Sequence, residues 1–224
     1  GMSGFSALRI DGTRLLQRLK DLSQFGALEG GGTNRLALSD ADRAGRDWTV
    51  GQMQALWMSV QVDAIGNVVA TYAGTQGGLP VMTGSHIDTV RTGGLYDGNY
   101  GVMAGLEVVA TLRDAGLRTR RPIQVAFFTN EEGARFQPDM LGSLVMVGGM
   151  SLAQALAVQA VDNGATLGDE LARIGYAGEM AADTPQVDSF VELHIEQGPV
   201  LEQQGVTIGV VEGVQGICWM EFRF

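Results

Sequence analysis

The chain has 224 residues, of which 15 are Lys or Arg and 25 are Asp or Glu, so its formal net charge is −10 at pH 7. A hydrophobic content of 45% is typical of a folded globular protein and excludes a disordered chain. The acidic balance argues against a nucleic-acid partner, and no apolar run approaches the roughly 18 residues that span a bilayer. The single cysteine, Cys218, needs no oxidising compartment, so we expect a cytoplasmic protein without membrane contact.

The first part of the chain predicts two helices and a pair of strands. Asp11 can cap a helix in which leucines recur at helical spacing and which ends near Gly26. A second helix is expected over residues 39–58, with a break. Two strand-like runs follow at 60–62 and 68–72, and the segment between them has turn chemistry.

The rest of the chain alternates strands with helices. The expected elements are a strand at 80–84, a helix at 101–115, a strand at 123–128, helices near 151–158 and 167–174, and a strand at 190–194. The continuous apolar run at 123–128 is typical of a strand covered on both faces. This alternation predicts an α/β fold, with a mixed, largely parallel sheet that has helices on both sides.

Polar side chains follow three of the predicted strands. His86, the adjacent pair Glu131 and Glu132, and His194 each close an apolar strand, and the chain has no other histidine. Ligands of open α/β sheets bind in the crevice at the carboxyl ends of the strands, so this fold can bring these side chains together. Imidazole nitrogens and carboxylate oxygens suit one or two divalent cations.

Taken singly, each of these features also has an ordinary structural explanation. Asp88 could accept a hydrogen bond from the imidazole two residues earlier and so orient it for a metal, although such pairs commonly serve surface hydrogen bonding. Asp97, in a glycine-rich turn, is either a surface residue or a carboxylate that bridges two cations. Glu131 and Glu132 form a solvated loop, or one binds metal while the other acts as a general base. His194 could be a satisfied core histidine.

Four segments carry a more specific signal when they are taken together. They are TGSHIDTV at 83–90, the pattern GxxDGxxGV at 94–102, FTNEEGARF at 128–136 and ELHIEQGPVLE at 192–202. In content and order they strongly resemble the hydantoinase/carbamoylase amidases, which belong to the di-metal aminoacylases and exopeptidases. This branch includes N-carbamoyl-L-amino-acid hydrolases, allantoate amidohydrolases and β-ureidopropionases.

The resemblance implies a domain organisation. Residues 1–212 would form a di-zinc exopeptidase-like catalytic domain. Residues 213–224 would begin a strand that leads into a lid and dimerisation domain, before which the chain stops. Substrate-binding residues of the lid and a late histidine that completes the second metal would then be absent.

The resemblance also implies the ligands of a centre with two divalent cations, either zinc or manganese, cobalt or nickel. His86 and His194 would bind one cation, Glu132 would bind the second, and Asp97 would bridge both. Because the late histidine is absent, one cation or none is also compatible with this chain.

Three further residues receive roles by the same resemblance. Asp88 would orient His86, Glu131 would be the general base, and Gln197 would face the substrate. Glu131 would take a proton from the water that attacks the carbonyl carbon and return it to the leaving nitrogen.

The implied activity is metal-dependent hydrolysis of a linear C–N bond in a small ureido or amide substrate, such as an N-carbamoyl-L-amino acid, allantoate or ureidopropionate. The full-length family implies a homodimer. Two alternatives stay open. The chain could be a non-catalytic relative or fragment that acts as a binding or dimerising module, or an aminoacylase or metallo-exopeptidase of the same family.

Overall fold

The computed structural model describes residues 8–94 and 96–192. Over these residues the chain forms a five-stranded mixed sheet flanked by helices, which confirms the predicted α/β fold class. In chain order the elements are α1 (Gly12–Ser23), α2 (Asp40–Ala55), β1 (Ser59–Val62), β2 (Val68–Tyr72), β3 (Val81–Ser85), α3 (Asp97–Asp114), β4 (Ile123–Phe127), α4 (Leu141–Met146), α5 (Leu152–Leu156), α6 (Leu167–Ile174) and β5 (Ser189–Val191). His194, Gln197 and the expected strand at 213–224 lie outside the described residues.

The sheet has the strand order β1-β2-β4-β3-β5. β1, β2 and β4 pair antiparallel, whereas β4, β3 and β5 run parallel, so the described strands contribute both kinds of pairing equally. In the central parallel pair, Ser85 of β3 lies opposite Phe127 of β4. The two strands therefore end at the same edge of the sheet. Just beyond this edge the Phe128 amide donates to the Ser85 carbonyl at 2.9 Å.

The first two helices begin at polar caps. The Asp11 carboxylate accepts a hydrogen bond from the backbone amide of Arg14 at 3.0 Å, which confirms the predicted cap of α1. α2 runs without interruption, so the predicted break is wrong. Gly45, inside α2, makes room for the Arg35 side chain. A Cβ added at Gly45 would lie only 3.0 Å from that side chain. Among the helices of the described residues, none is both long and apolar enough to cross a membrane.

Two further elements differ from the sequence prediction. α3 begins at Asp97, in the segment predicted as a turn, because the glycines of that segment adopt helical backbone. α4 was not predicted, since it has only 6 residues and no side chain caps its start. Short helices without a cap leave too few positions to show a helical period.

The two faces of the sheet carry cores of different size. On one face, Val125 and Phe127 belong to the main core, to which all six helices contribute. On the opposite face, Met82 and Ala126 form a smaller cluster with Phe190. Helices on both sides were expected, but no helical residue of the described chain belongs to this smaller cluster.

Helix α3 lies close against the centre of the sheet. A Cβ added at Gly105 would meet Thr83 of β3 at 2.9 Å and Val125 of β4 at 3.1 Å, so a glycine is needed for this approach. α3 follows β3 in the chain, and its first turn therefore lies near the edge at which β3 and β4 end. The packing brings a helix start and two strand ends together.

A buried ion-pair cluster joins α1 to α3. The Glu107 side chain is fully buried, and its carboxylate lies 2.7 Å from Arg14 Nη2 and 2.8 Å from Arg18 Nη1. It also accepts a hydrogen bond from the backbone amide of Asp11 at 3.1 Å. A buried pair that loses one partner leaves an uncompensated charge, which is strongly destabilising.

We expect Glu107→Gln to lower the free energy of unfolding by about 3 kcal/mol, because two arginines lose their buried counterion. Asp114→Asn is the matched control. Asp114 pairs with the same Arg14, but its side chain is 66% exposed, so the loss should stay below about 1 kcal/mol. Urea denaturation measures both variants, and equal losses would contradict the assignment of the stabilising charge to Glu107.

Candidate metal centre

Two loops leave the shared edge of the sheet and carry the predicted acidic and imidazole groups. One loop follows β3 and bears His86 and Asp88; the other follows β4 and bears Glu131 and Glu132. His86 and Asp88 are buried, whereas Glu131 and Glu132 are half-buried. The parallel pairing thus produces the convergence that the sequence predicted for His86, Glu131 and Glu132.

The loop after β4 is held by amide side chains. The backbone amide of Thr129 donates to Asn67 Oδ1 at 2.9 Å. Asn130 has a φ of 54°, a left-handed conformation that asparagine tolerates better than most residues. Its Nδ2 donates to the carbonyls of Phe136 at 2.9 Å and Pro138 at 3.2 Å. These bonds fix the backbone that carries the two glutamates.

The imidazole of His86 is oriented by a backbone carbonyl. Its Nδ1 lies 2.8 Å from the carbonyl oxygen of Asp88, an acceptor, so Nδ1 carries the hydrogen. In the neutral ring this leaves the Nε2 lone pair for a ligand. Nε2 faces the acidic pair, at 3.2 Å from Glu131 Oε2 and 3.7 Å from Glu132 Oε1.

The carboxylate of Asp88 serves the other loop. It accepts hydrogen bonds from the backbone amides of Glu131 and Glu132, both at 3.2 Å, while its Oδ1 is 3.7 Å from His86 Nδ1. The sequence predicted a bond between this carboxylate and the imidazole. Asp88 instead contacts the ring through its backbone and ties the β3 loop to the β4 loop through its side chain.

Asp97 and Gly98 bring the start of α3 to the same place. The side chain of Asp97 shares a hydrogen bond with that of Glu132. Asp97 lies at the start of α3, where the helix dipole favours a negative charge, and not in a turn as the sequence predicted. A Cβ added at Gly98 would overlap the imidazole atoms of His86, so only glycine leaves room for the ring.

The crowding of acidic groups shifts their protonation. Burial, together with the hydrogen bond to Asp97, raises the pKa of Glu132 to about 8. Burial also raises the pKa of Asp88 to about 6 and raises the pKa of Glu131 above its usual value. For His86, burial opposes the charged form, but the surrounding carboxylates outweigh it and raise the pKa of the ring.

These residues fit a divalent cation. His86, Glu131 and Glu132 each offer a ligand atom, and all three atoms lie within 4.8 Å of one another. Nitrogen and carboxylate oxygen ligands of this kind suit zinc and related metals. A dication would also relieve the repulsion that otherwise keeps protons on the acidic groups.

Of the predicted site residues, the structure brings together His86, Asp88, Asp97, Glu131 and Glu132. His194 and Gln197 lie outside the described residues. Glu192 received no role from the sequence, yet its charge helps to raise the pKa of Glu131. Gly98 lies in the glycine-rich segment predicted as a turn, and a glycine directly after a proposed ligand is a sequence signal for close packing.

Comparison with known proteins identifies the family. Residues 82–221 match the Peptidase family M20/M25/M40, and the chain belongs to this family. The predicted resemblance to the hydantoinase/carbamoylase amidases is confirmed by the relatives and solved structures that this chain matches.

Three similar proteins illustrate the relationship. An N-carbamoyl-L-amino-acid amidohydrolase of Rhizobium meliloti is 43% identical over 215 residues, which are 96% of this chain and 51% of the relative. A ureidoglycolate hydrolase of Arabidopsis thaliana is 34% identical over 228 residues, 98% of this chain and 48% of the relative. The solved structure of a hydantoinase/carbamoylase family amidase from Burkholderia ambifaria has a TM-score of 0.87 and 50% identity, covering 91% of this chain and 50% of that one. The chain spans about half the length of the curated relatives it matches.

We expect Gly98→Ala to weaken divalent metal binding by about 10- to 100-fold, because its methyl group displaces the imidazole of His86. Gly51→Ala is the matched control: Gly51 is also helical, and its added Cβ meets no atom within 4 Å. The control should gain roughly 0.5–1 kcal/mol of stability and keep its metal affinity. Competition with a chromophoric chelator measures the affinity, and equal affinities in both variants would contradict the packing argument.

We expect the metal-free protein to be less stable at pH 8 than at pH 5. The pKa values of Asp88 and Glu132 are about 6 and about 8 in the folded chain, both above their ordinary values, so folding favours their protonated forms. This stability is present at low pH and is lost as the pH rises through these values; between pH 5 and pH 8 Asp88 alone accounts for about 1 kcal/mol. The raised pKa of His86 acts in the same direction.

Urea denaturation after chelator dialysis measures this pH dependence. Carboxylates with a lowered pKa, such as Glu107, keep their full stabilising contribution above about pH 5 and lose it only at lower pH, so they do not disturb the comparison. Asp88→Asn should flatten the curve between pH 4 and pH 6, and zinc should restore stability at pH 8. A wild-type stability that rises from pH 5 to pH 8 without metal would contradict the charge crowding.

Proposed function

We propose that this chain is the catalytic part of a metal-dependent amidohydrolase that cleaves a linear C–N bond in small ureido or amide compounds. The observation that carries the proposal is the cluster of His86, Glu131 and Glu132, whose side-chain nitrogen and oxygen atoms lie within 4.8 Å of one another. The names of the similar proteins, an N-carbamoyl-L-amino-acid amidohydrolase and a ureidoglycolate hydrolase, support the substrate class.

The proposal assigns four metal ligands. His86 and His194 bind one divalent cation, Glu132 binds a second, and Asp97 binds both. When bound, such cations polarise the substrate carbonyl and make a water more acidic. Zinc, manganese, cobalt and nickel all suit this mixture of imidazole and carboxylate ligands.

The remaining roles belong to side chains that move protons or orient groups. Glu131 takes a proton from the water that attacks the carbonyl carbon and gives it to the nitrogen as the C–N bond breaks. Its side chain is 33% exposed, so a water and a substrate can reach it. Asp88 holds the amides of both glutamates and, through its carbonyl, the imidazole of His86. Gln197 contacts the substrate.

Further parts of the proposal concern the whole protein. Residues 1–212 form the catalytic domain, and residues 213–224 begin a connection to a lid and dimerisation domain. The active form is a homodimer, as the family resemblance implies. Sedimentation measures this oligomeric state. A cytoplasmic location is consistent with a single cysteine.

We expect Glu131→Gln to retain bound metal and to lose hydrolysis by about 10²- to 10⁴-fold, because the amide is no longer able to accept the proton. His86→Ala should lose tight metal binding and hydrolysis together. Elemental analysis after zinc loading and desalting measures the metal, and initial rates measure turnover. Unchanged turnover in Glu131→Gln would remove this residue as the base, and retained tight metal binding in His86→Ala would remove His86 as a ligand.

The choice of substrates separates the alternatives within the family. N-carbamoyl-L-amino acids and ureido acids should be hydrolysed in preference to N-acetyl amino acids and dipeptides. Preference for the acetyl compounds would indicate an aminoacylase, and preference for dipeptides an exopeptidase. Tight metal binding without hydrolysis of any of these compounds would indicate a binding module.

A further inference from the structure

Arg35 is a buried cation whose position the proposed function does not explain. It lies between α1 and α2, and its side chain has 0% exposure. Its guanidinium donates four hydrogen bonds, and the acceptors are three backbone carbonyls and one side-chain amide oxygen, none of them a carboxylate. Burial of this charge is costly, and the charges of Asp42 and Asp88 offset only part of the cost, so its hydrogen bonds must serve the structure around it.

Two of these hydrogen bonds reach the elements that carry the proposed ligands. Nε donates at 2.7 Å to the carbonyl of Ile87, the residue between His86 and Asp88. Nη2 donates at 3.0 Å to Asn99 Oδ1, in the first turn of α3 and two residues after Asp97. One planar group therefore spans the β3 loop and the start of α3.

The other contacts keep the guanidinium in place. Nη1 donates to the carbonyls of Leu22 and Phe25, at 2.9 and 2.8 Å, at the end of α1. The Arg35 amide donates to Thr89 Oγ1 at 2.8 Å, and the Thr89 amide donates to the Arg35 carbonyl at 2.7 Å. Arg35 is thus bonded to the β3 loop through both its backbone and its side chain.

We propose that Arg35 is a positioning residue of the metal centre, which locks the loop bearing His86 to the helix start bearing Asp97 and so fixes the separation of these two ligands. This inference rests on the proposed function, since it assumes that both residues bind metal. It assigns to Arg35 a role beyond stabilising the core. A lysine keeps the charge but not the rigid fork that bonds two elements at once.

Cobalt binding by the full chain tests the proposal. Arg35→Met should lower the affinity for Co²⁺ by about 10- to 100-fold and change the visible absorption of the bound ion, because the ligand geometry is altered. Arg35→Lys should not restore the affinity. Glu107→Gln is the matched control, since it also loses a buried charge contact between α3 and α1 but lies far along α3 from Asp97; it should keep the wild-type affinity and spectrum. Wild-type affinity and spectrum in folded Arg35→Met or Arg35→Lys would overturn the proposal.

Asn99→Ala provides a second, milder variant in case Arg35 is needed for folding. It removes the helix end of the bridge and leaves Arg35 in place, and it should weaken Co²⁺ binding in the same direction; wild-type affinity would overturn the proposal. Two results separate this inference from the proposed function. A wild type that binds no cobalt contradicts the proposed function. Crystal structures of the metal-free wild type and variants test the positioning role, and a His86–Asp97 separation that changes by less than about 1 Å in the variants contradicts it.

Discussion

The parallel pairing of β3 with β4 is the contact on which the candidate site depends. It aligns Ser85 with Phe127, so both strands deliver their loops to one edge of the sheet. The close approach of α3 at Gly105 then places a helix start beside these loops. Neither loop carries a complete set of ligands by itself, because one supplies the imidazole and the other supplies the acidic pair.

The same convergence creates an electrostatic cost. Burial and mutual repulsion raise the pKa values of the acidic groups around His86, so these groups favour their protonated forms and a nearby cation would favour their charged forms. Proteins keep such strained charge clusters where function requires them. The chain's membership of the M20/M25/M40 peptidase family is consistent with the proposal that this cluster is a metal centre.

Buried arginines hold the loops in place at some distance from the cluster. Arg35 bonds the β3 loop to α3, and Arg46 donates to Thr129 Oγ1 at 3.2 Å, at the start of the β4 loop. Arg135, just after the acidic pair, donates to the Ala37 carbonyl at 3.0 Å. The loops are therefore anchored to the segments around α2 rather than left to the sheet alone.

Much of this arrangement could be predicted from the sequence, since hydrophobic periodicity locates the strands and polar residues at their ends locate the site. His86 and the acidic pair converge for that reason. The sequence predicts a turn at Asp97 because Asp-Gly is a common turn dipeptide. It does not show that the start of α3 packs against His86. Arg35 gave no signal, because bonds from a long side chain to backbone carbonyls leave no periodic pattern. The roles of His194 and Gln197 stay predictions.

The central claim is that the cluster around His86 binds a divalent cation. Anomalous diffraction from crystals grown with zinc, recorded above and below the zinc absorption edge, tests it most directly. We expect an anomalous peak about 2.0–2.1 Å from His86 Nε2, with the Asp97 carboxylate beside it. Zinc-loaded crystals without a peak at this edge of the sheet would contradict it.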